Sequence, residues 1–403
     1  MRQFDIVIYG ATGFVGRLSA EYLAGRSAGD LSVALAGRSM ERLEKVRANL
    51  PPKAQSWPLV AVDSDDVDGL RALARTTRVL VTTVGPYRKY GMKVAQACAE
   101  EGTDYLDLTG EVLFVRDCAD AFDTIAKASG ARIVNACGFD SIPSDIGVLL
   151  LNHAARARQV GDLEQTTLLV TSMRGGFSGG TIDSLRTQMT EVTSDRARRR
   201  IAGDPYALSP DRENDLKVDD YDGHGAKFNK QWGLWTSPFI MSPFNSRIVR
   251  RSNALLGHAY GRSFSYTEVS AAGSGRKGQW RAKQATVILG LFYTAMQKPL
   301  LRKVLDRFLP KPGSGPSDER MRNGRFRLAI MTQTSNGHRL KVKIGLNLDP
   351  GYRGTALMLM ESALCLLQTP RERTGVLTPA VAMGMSLADQ LRKAGMTFDV
   401  SDV

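Results

Sequence analysis

Short apolar runs recur through the first 150 positions, and each is followed by a stretch with helical spacing. The runs Asp5–Tyr9, Leu31–Ala36, Leu59–Val62, Val79–Val84, Asp104–Leu106 and Arg132–Asn135 read as strands. Several are apolar almost without interruption, as strands buried on both faces are. Between them Phe14–Leu23, Met40–Asn49, Val67–Arg75, Lys93–Glu101 and Val112–Ser129 read as helices. Strand and helix in alternation predict a doubly wound parallel sheet, the Rossmann arrangement, over residues 1–155. After about Ala155 the pattern changes to longer strands at Thr166–Met173, Ser263–Ala272, Phe326–Thr334 and Leu340–Leu348. Alternation such as Arg339-Leu340-Lys341-Val342-Lys343-Ile344 wets one face only, which suits a mainly antiparallel sheet and predicts a second, α+β domain over 156–350. Asp204–Lys227 and Lys311–Asn323 read as long loops, and Thr355–Leu367 and Val381–Lys393 as closing helices of a 351–403 segment.

The composition, 43% hydrophobic and 24% charged over 403 residues, is that of an ordinary globular chain of about two domains. The net charge of +13 is spread out, with one short run at Arg198-Arg199-Arg200 and no aromatic-interleaved basic motif. This argues against nucleic acid and for anionic ligands or a lipid surface. Cys98, Cys118, Cys137 and Cys365 are far apart without a CxxC, as thiols of a reducing compartment are, and no metal site is expected. With the first strand beginning almost at residue 1, secretion is not expected and a cytoplasmic location is. The window Val287–Met296 falls short of the roughly 20 residues a spanning helix needs. It continues into an apolar and basic mixture to Leu309, which reads either as a core or interface helix with a solvated basic face or as a segment lying on a membrane.

The chemistry is most legible where the first strand enters Gly10-Ala11-Thr12-Gly13-Phe14-Val15-Gly16. Gly10 permits a tight turn, Gly13 a close approach to a pyrophosphate, and Gly16 a helix packed close to the strand, with the anion at the helix N-terminus. After the second strand, where an acid would bind both ribose hydroxyls, stand Gly37-Arg38-Ser39 and then Arg42. A small residue, an arginine and a hydroxyl suit a 2′-phosphate, so NADPH is expected as cofactor. Asp63 reads equally as acceptor from the adenine amine or, with Ser64 and Asp65, as a helix cap. Val84, Gly85 and Pro86 should border the nicotinamide ribose, with Tyr87 and Tyr90 near the chemistry. The segments Tyr105–Glu111 and Cys137–Asp145 stand at strand ends on the same face; Cys137 reads as a buried small residue, and Asp140 as a pocket residue or a helix cap. Gly176-Phe177-Ser178-Gly179-Gly180 fits the GxSxG of a hydrolase elbow, but His224, His258 and His338 have no recognisable setting for a triad.

Taken together with Val84-Gly85-Pro86-Tyr87, Gly138–Asp145, Gly179-Gly180-Thr181 and Gly375–Ala380, these motifs resemble the saccharopine dehydrogenase-like oxidoreductases, near the actinobacterial trans-acting enoyl reductase branch. The resemblance implies final helices that return to the Rossmann domain. It implies NADPH-dependent reduction of an α,β-unsaturated thioester presented by a polyketide synthase that lacks a working reductase. Gly10, Thr12, Gly13, Phe14, Val15, Gly16, Gly37, Arg38, Ser39, Asp63, Val84, Gly85 and Pro86 are the expected cofactor residues, and Tyr87 and Ser141 the candidates for catalysis. Reduction of an imine or ketone, and a non-catalytic nucleotide-binding protein on a lipid surface, are the alternatives; oligomeric state is left open.

Overall fold

The computed structural model describes residues 2–26, 31–176, 179–212, 215, 225–309 and 315–403. The chain runs β1 (Phe4–Tyr9), α1 (Phe14–Gly25), β2 (Val33–Gly37), α2 (Met40–Ala48), β3 (Leu59–Ala61), α3 (Val67–Thr76), β4 (Thr77–Thr82), α4 (Tyr87–Tyr90), α5 (Met92–Glu100), β5 (Asp104–Leu106), α6 (Val112–Ser129), β6 (Arg132–Val134) and α7 (Ile142–Ala157). The second half runs β7 (Leu163–Arg174), α8 (Gly179–Ser194), α9 (Arg196–Gly203), β8 (Lys227–Asn229), β9 (Leu234–Pro238), α10 (Ser242–Leu255), β10 (Ser265–Gly273), α11 (Gly275–Gln297), α12 (Pro299–Leu305), α13 (Asp318–Arg322), β11 (Arg325–Thr334) and β12 (Arg339–Leu346). It closes with α14 (Thr355–Gln368), β13 (Gly375–Leu377), α15 (Pro379–Lys393) and β14 (Thr397–Asp402).

The first sheet has seven strands in the order β13-β6-β5-β4-β1-β2-β3. Every pair is parallel, and the order reverses between β1 and β4. The apolar run of β1 serves both faces: Ile6 and Ile8 enter one core cluster, Val7 and Tyr9 the other. The second sheet, β14-β12-β11-β7-β10-β9-β8, is antiparallel except for the β7–β10 pair. It packs on α7 closely enough that a Cβ at Gly147 would lie 2.5 Å from Ile330 Cδ1.

Both the parallel sheet and the mainly antiparallel one expected from the hydrophobic pattern are present, and the final segment is more than returning helices. β13 extends the parallel sheet beside β6, and β14 extends the second sheet beside β12, so residues 351–403 close both. The stretch expected as a loop over Lys311–Asn323 contains α13, started by the Ser317 hydroxyl accepting from Arg320 N–H at 3.4 Å; residues 310–314 lie outside the described residues. The Asp204–Lys227 stretch, expected as a loop, is described only in part.

Two buried contacts fasten the closing segment. Arg132, within β6, donates to Asp104 Oδ2 at 2.5 Å and to the Leu366 carbonyl, at the end of α14, at 2.7 Å. Asp145 of α7 accepts from Ala380 N–H at 2.8 Å, doing for α15 what its own Thr378 does not. An Arg132→Met substitution leaves Asp104 buried beside only the half-exposed Arg371. We expect it to lower unfolding free energy by about 3–5 kcal/mol in urea melts, and the double substitution with Asp104→Asn to recover a large part.

Candidate functional site

The turn after β1 is forced by close contacts. Gly10 has φ +87°, and a Cβ there would lie 2.5 Å from Val84 Cγ2, so the first turn presses against the turn after β4. A Cβ at Gly16 would fall 2.2 Å from the Gly10 carbonyl oxygen, which is why α1 can start so near the strand. Gly13 N–H is spent on Gly10 O at 2.9 Å, and the first intrahelical bond of α1 comes from Arg17. The N–H groups of Phe14, Val15 and Gly16 are therefore left for a ligand, and no acidic side chain sits in that first turn. Thr12 is half-buried beside them. The Phe14 ring points away, packing edge-on to Tyr352 at 5.0 Å between centroids, so only its backbone faces the anion site.

Beyond β2, Gly37 is buried and Arg38 exposed, and the guanidiniums of Arg38 and Arg42 make no hydrogen bond or ion pair with another described side chain. Ser39 caps α2, accepting from Arg42 N–H at 3.4 Å. Asp63 accepts from Asp65 N–H at 2.9 Å and stays exposed at the sheet edge, whereas the cap of α3 is Asp66, which accepts from Gly69 N–H at 2.9 Å. The expected capping by Asp63, Ser64 or Asp65 is thus one to three residues early.

Buried carboxylates organise the carboxyl ends of β4, β5 and β6. Glu111 accepts from Tyr87 N–H and Arg88 N–H, each at 2.8 Å, and from the Ser184 hydroxyl of α8 at 2.6 Å. The turn at Val84-Gly85-Pro86, with its cis Gly85–Pro86 peptide, is thereby fixed. Asp107 accepts from Ala136 N–H at 2.8 Å and from Asn135 Nδ2 at 2.7 Å, tying the β5 and β6 ends together, and burial lifts its carboxyl to about 6.

Against these turns lies a cavity of about 390 Å³. Its floor is Val15, Thr83, Gly85, Gly110 and Gly138, and its walls are apolar side chains of α8, of the β9–α10 junction and of α11, among them Ile182, Leu185, Met189, Met241 and Phe244. Asp140 also lines it. This carboxyl has no hydrogen-bond or charge partner among the described residues; Ser141, not Asp140, occupies the cap position of α7. Burial alone raises it to about 6.

Both hydroxyls singled out for catalysis are committed elsewhere. Tyr87 Oη donates to the Thr82 carbonyl and accepts from Leu108 N–H, both at 3.2 Å, and burial holds its phenol well above its usual range. Ser141 Oγ donates to Asn245 Oδ1 at 3.2 Å, behind the cavity wall, and Asn245 in turn donates to the buried Glu268 at 2.9 Å. Tyr90 belongs to the short α4. Burial keeps the Cys137 thiol well above its ordinary value, as expected of a packing residue. Phe177, Ser178 and His224 lie outside the described residues; no described histidine lines the cavity. What sequence reasoning missed is the far wall: Ser184 and Gln188 of α8, past its opening Gly179-Gly180-Thr181, and Tyr293 of α11 line the site from positions outside every motif.

Residues 6–134 match the saccharopine dehydrogenase NADP binding domain. The chain is therefore an NADP-dependent oxidoreductase, and the close Cβ contacts of the glycine turn and the uncapped α1 fit a pyrophosphate there. Over 99% of its length the chain is 44% identical to a Mycobacterium tuberculosis protein provisionally named a trans-acting enoyl reductase, covering 98% of that protein. It is 42% identical to the trans-acting enoyl reductase of Mycobacterium leprae, over 98% of this chain and 97% of that one. The chain belongs to this family of saccharopine dehydrogenase-like oxidoreductases. The same fold is found in saccharopine dehydrogenase of Saccharomyces cerevisiae, with TM-score 0.55 at 12% identity over 99% of this chain and 100% of that one.

Replacing Arg38 with alanine should weaken NADPH binding by about 10- to 100-fold and change NADH binding by less than about threefold, read by nicotinamide fluorescence titration. An unchanged NADPH to NADH ratio would place the 2′-phosphate elsewhere.

Proposed function

We propose that the chain reduces the α,β-double bond of an acyl thioester delivered by a separate synthase, with the acyl chain in the 390 Å³ cavity. The chemistry of that cavity carries the reading. Its walls are mainly apolar, and its one lining arginine, Arg199, spends its guanidinium on the carbonyls of Val192 at 2.9 Å and Thr193 at 3.1 Å. A dicarboxylic amino-acid imine requires free cations to hold it, and none of the described lining residues supplies one. The names of the relatives, trans-acting enoyl reductases, support a substrate carried by another protein.

The Gly10–Gly16 turn and Arg38, with Ser39, Asp63 and Val84–Pro86 along its length, would hold NADPH, which when bound would supply a hydride for the β-carbon. Reduction of an enoyl thioester also needs a proton at the α-carbon and a donor to the enolate oxygen. Asp140 is the proposed source of the proton, given from its carboxyl oxygen: it lines the cavity, has no hydrogen-bond or charge partner among the described residues, and is raised by burial to about 6. The carboxylate left behind regains a proton from water at the cavity mouth. Backbone N–H of Gly138, beside it on the floor, is the proposed donor to the enolate oxygen. Tyr87 and Ser141 act through the walls: the first pins the β4 and β5 turns together, the second holds α7 against α10.

The test is NADPH oxidation with an enoyl thioester, followed by pH. An acid with pKa about 6 must be protonated to act, so turnover should fall about tenfold per pH unit above 6. Asp140→Asn should lose about 100-fold or more and flatten that limb. The same substitution has a structural signature of the right sign. A carboxyl raised in the fold holds a proton that the unfolded chain releases between about pH 4 and 6, so stability falls as pH rises through that window. The Asp140→Asn variant should therefore melt higher than the parent at pH 7 and equally at pH 4. Turnover of an imine but of no enoyl thioester would overturn the substrate assignment.

A further inference from the structure

α11 is a two-sided helix. Gly278, Ala282 and Met296 are its buried positions, and on that side Tyr293 lines the cavity and donates to the Ile240 carbonyl at 3.1 Å. On the opposite side Trp280, Val287 and Leu291, spaced i, i+7, i+11, form one stripe with Ile288 beside it, all between 59% and 65% exposed. The chain then turns into α12 and presents Leu300, Leu301, Val304 and Phe308, the last 82% exposed. Eight of the 13 exposed large hydrophobic side chains among the described residues fall in this one stretch, which marks a surface rather than scattered exposure.

Its charges say what covers it. Arg281 and Lys283 flank the stripe, and Lys298, Lys303 and Arg307 stand exposed among the second group. The only acid between positions 275 and 309 is Asp306, and it is taken by Arg186 at 2.7 Å. Protein interfaces are depleted of lysine at their centres. A lipid headgroup region, by contrast, accepts apolar side chains and tryptophan while lysine and arginine stems reach anionic phosphates. No described helix is long and apolar enough to cross a membrane, so attachment would be at the surface.

We propose that the face of α11, α12 and Phe308 docks on an anionic lipid bilayer, with α11 lying in the interfacial plane between the bilayer and the cavity. The docking stands on surface chemistry and not on the identity of the substrate, though it would place the cavity wall against a source of acyl chains.

The full chain, incubated with vesicles of phosphatidylcholine and phosphatidylglycerol in equal parts, should sediment with them. On phosphatidylcholine alone, or in about 0.5 M salt, binding should fall about tenfold or more. Trp280 emission should shift to the blue on binding, and Trp280→Phe should remove that shift. Lys298→Gln with Lys303→Gln and Arg307→Gln should cost about 100-fold, each basic side chain near an anionic surface contributing about fivefold. Leu291→Ser with Phe308→Ser should abolish sedimentation, and unchanged NADPH titration would show that these variants fold. Failure of the parent chain to bind either vesicle, or binding indifferent to both variant sets, overturns the proposal. So does elution at twice the chain mass that Leu291→Ser with Phe308→Ser reduces to one, since a second copy would then cover the face. Turnover of a soluble enoyl thioester needs no vesicle, so this proposal and the reductase reading fail separately.

Discussion

One buried carboxylate, Glu111, holds the cavity end of this molecule together. Its two oxygens take the first two free N–H groups of α4, and one of them also takes the Ser184 hydroxyl from α8. A helix of four residues cannot stand on propensity, and its orphan donors would be costly if unpaired in the interior. By satisfying them, Glu111 sets the turn of Gly85 and Pro86 and anchors α8, the cavity wall contributed by the second domain. Three otherwise independent pieces thus have one position relative to each other.

The same device recurs beneath the other strand ends, and the electrostatics are consistent. Asp107 joins the β5 and β6 turns, and Asp145 holds the start of α15. Burial pushes both carboxyls up, to about 6 and about 7, while the N–H and hydroxyl donors aimed at them pull the other way. Half-buried Asp140 differs in being raised by burial with no donor to it among the described residues. A carboxyl that shapes structure is surrounded by donors, and one free to exchange its proton is not; Asp140, just before α7, and Asp145, in its first turn, divide along that line.

What the sequence made legible follows from how locally each part is built. The cofactor end is a turn and a helix start, with Gly10, Gly13 and Gly16 within seven positions, so the spacing itself carries the geometry. The parallel sheet was legible because strands buried on both faces write continuous apolar runs. α10 shows the opposite case. No element is read over its residues, and its Arg247, Arg250 and Arg251 are all buried. Arg251 donates to the carbonyls of Leu208 and Val376 at 2.6 Å each, and burial lowers it to about 10. The carbonyls it satisfies lie 43 and 125 positions away, and no local pattern announces them.

The cavity is built the second way, which explains why it resisted reading. Gly85, Asp140, Met189, Met241 and Tyr293 meet in one cavity from five separate stretches of chain. Tyr87 and Ser141 stand beside motifs and look reactive for that reason. Their hydroxyls hold the turns that the motifs form, which demands the same closeness to the site as catalysis does. Proximity to a motif therefore cannot separate a residue that acts from one that positions. The separating property is an unspent polar atom facing the cavity, and among the titratable residues named from sequence it belongs to Asp140, which the sequence leaves open between a pocket residue and a helix cap.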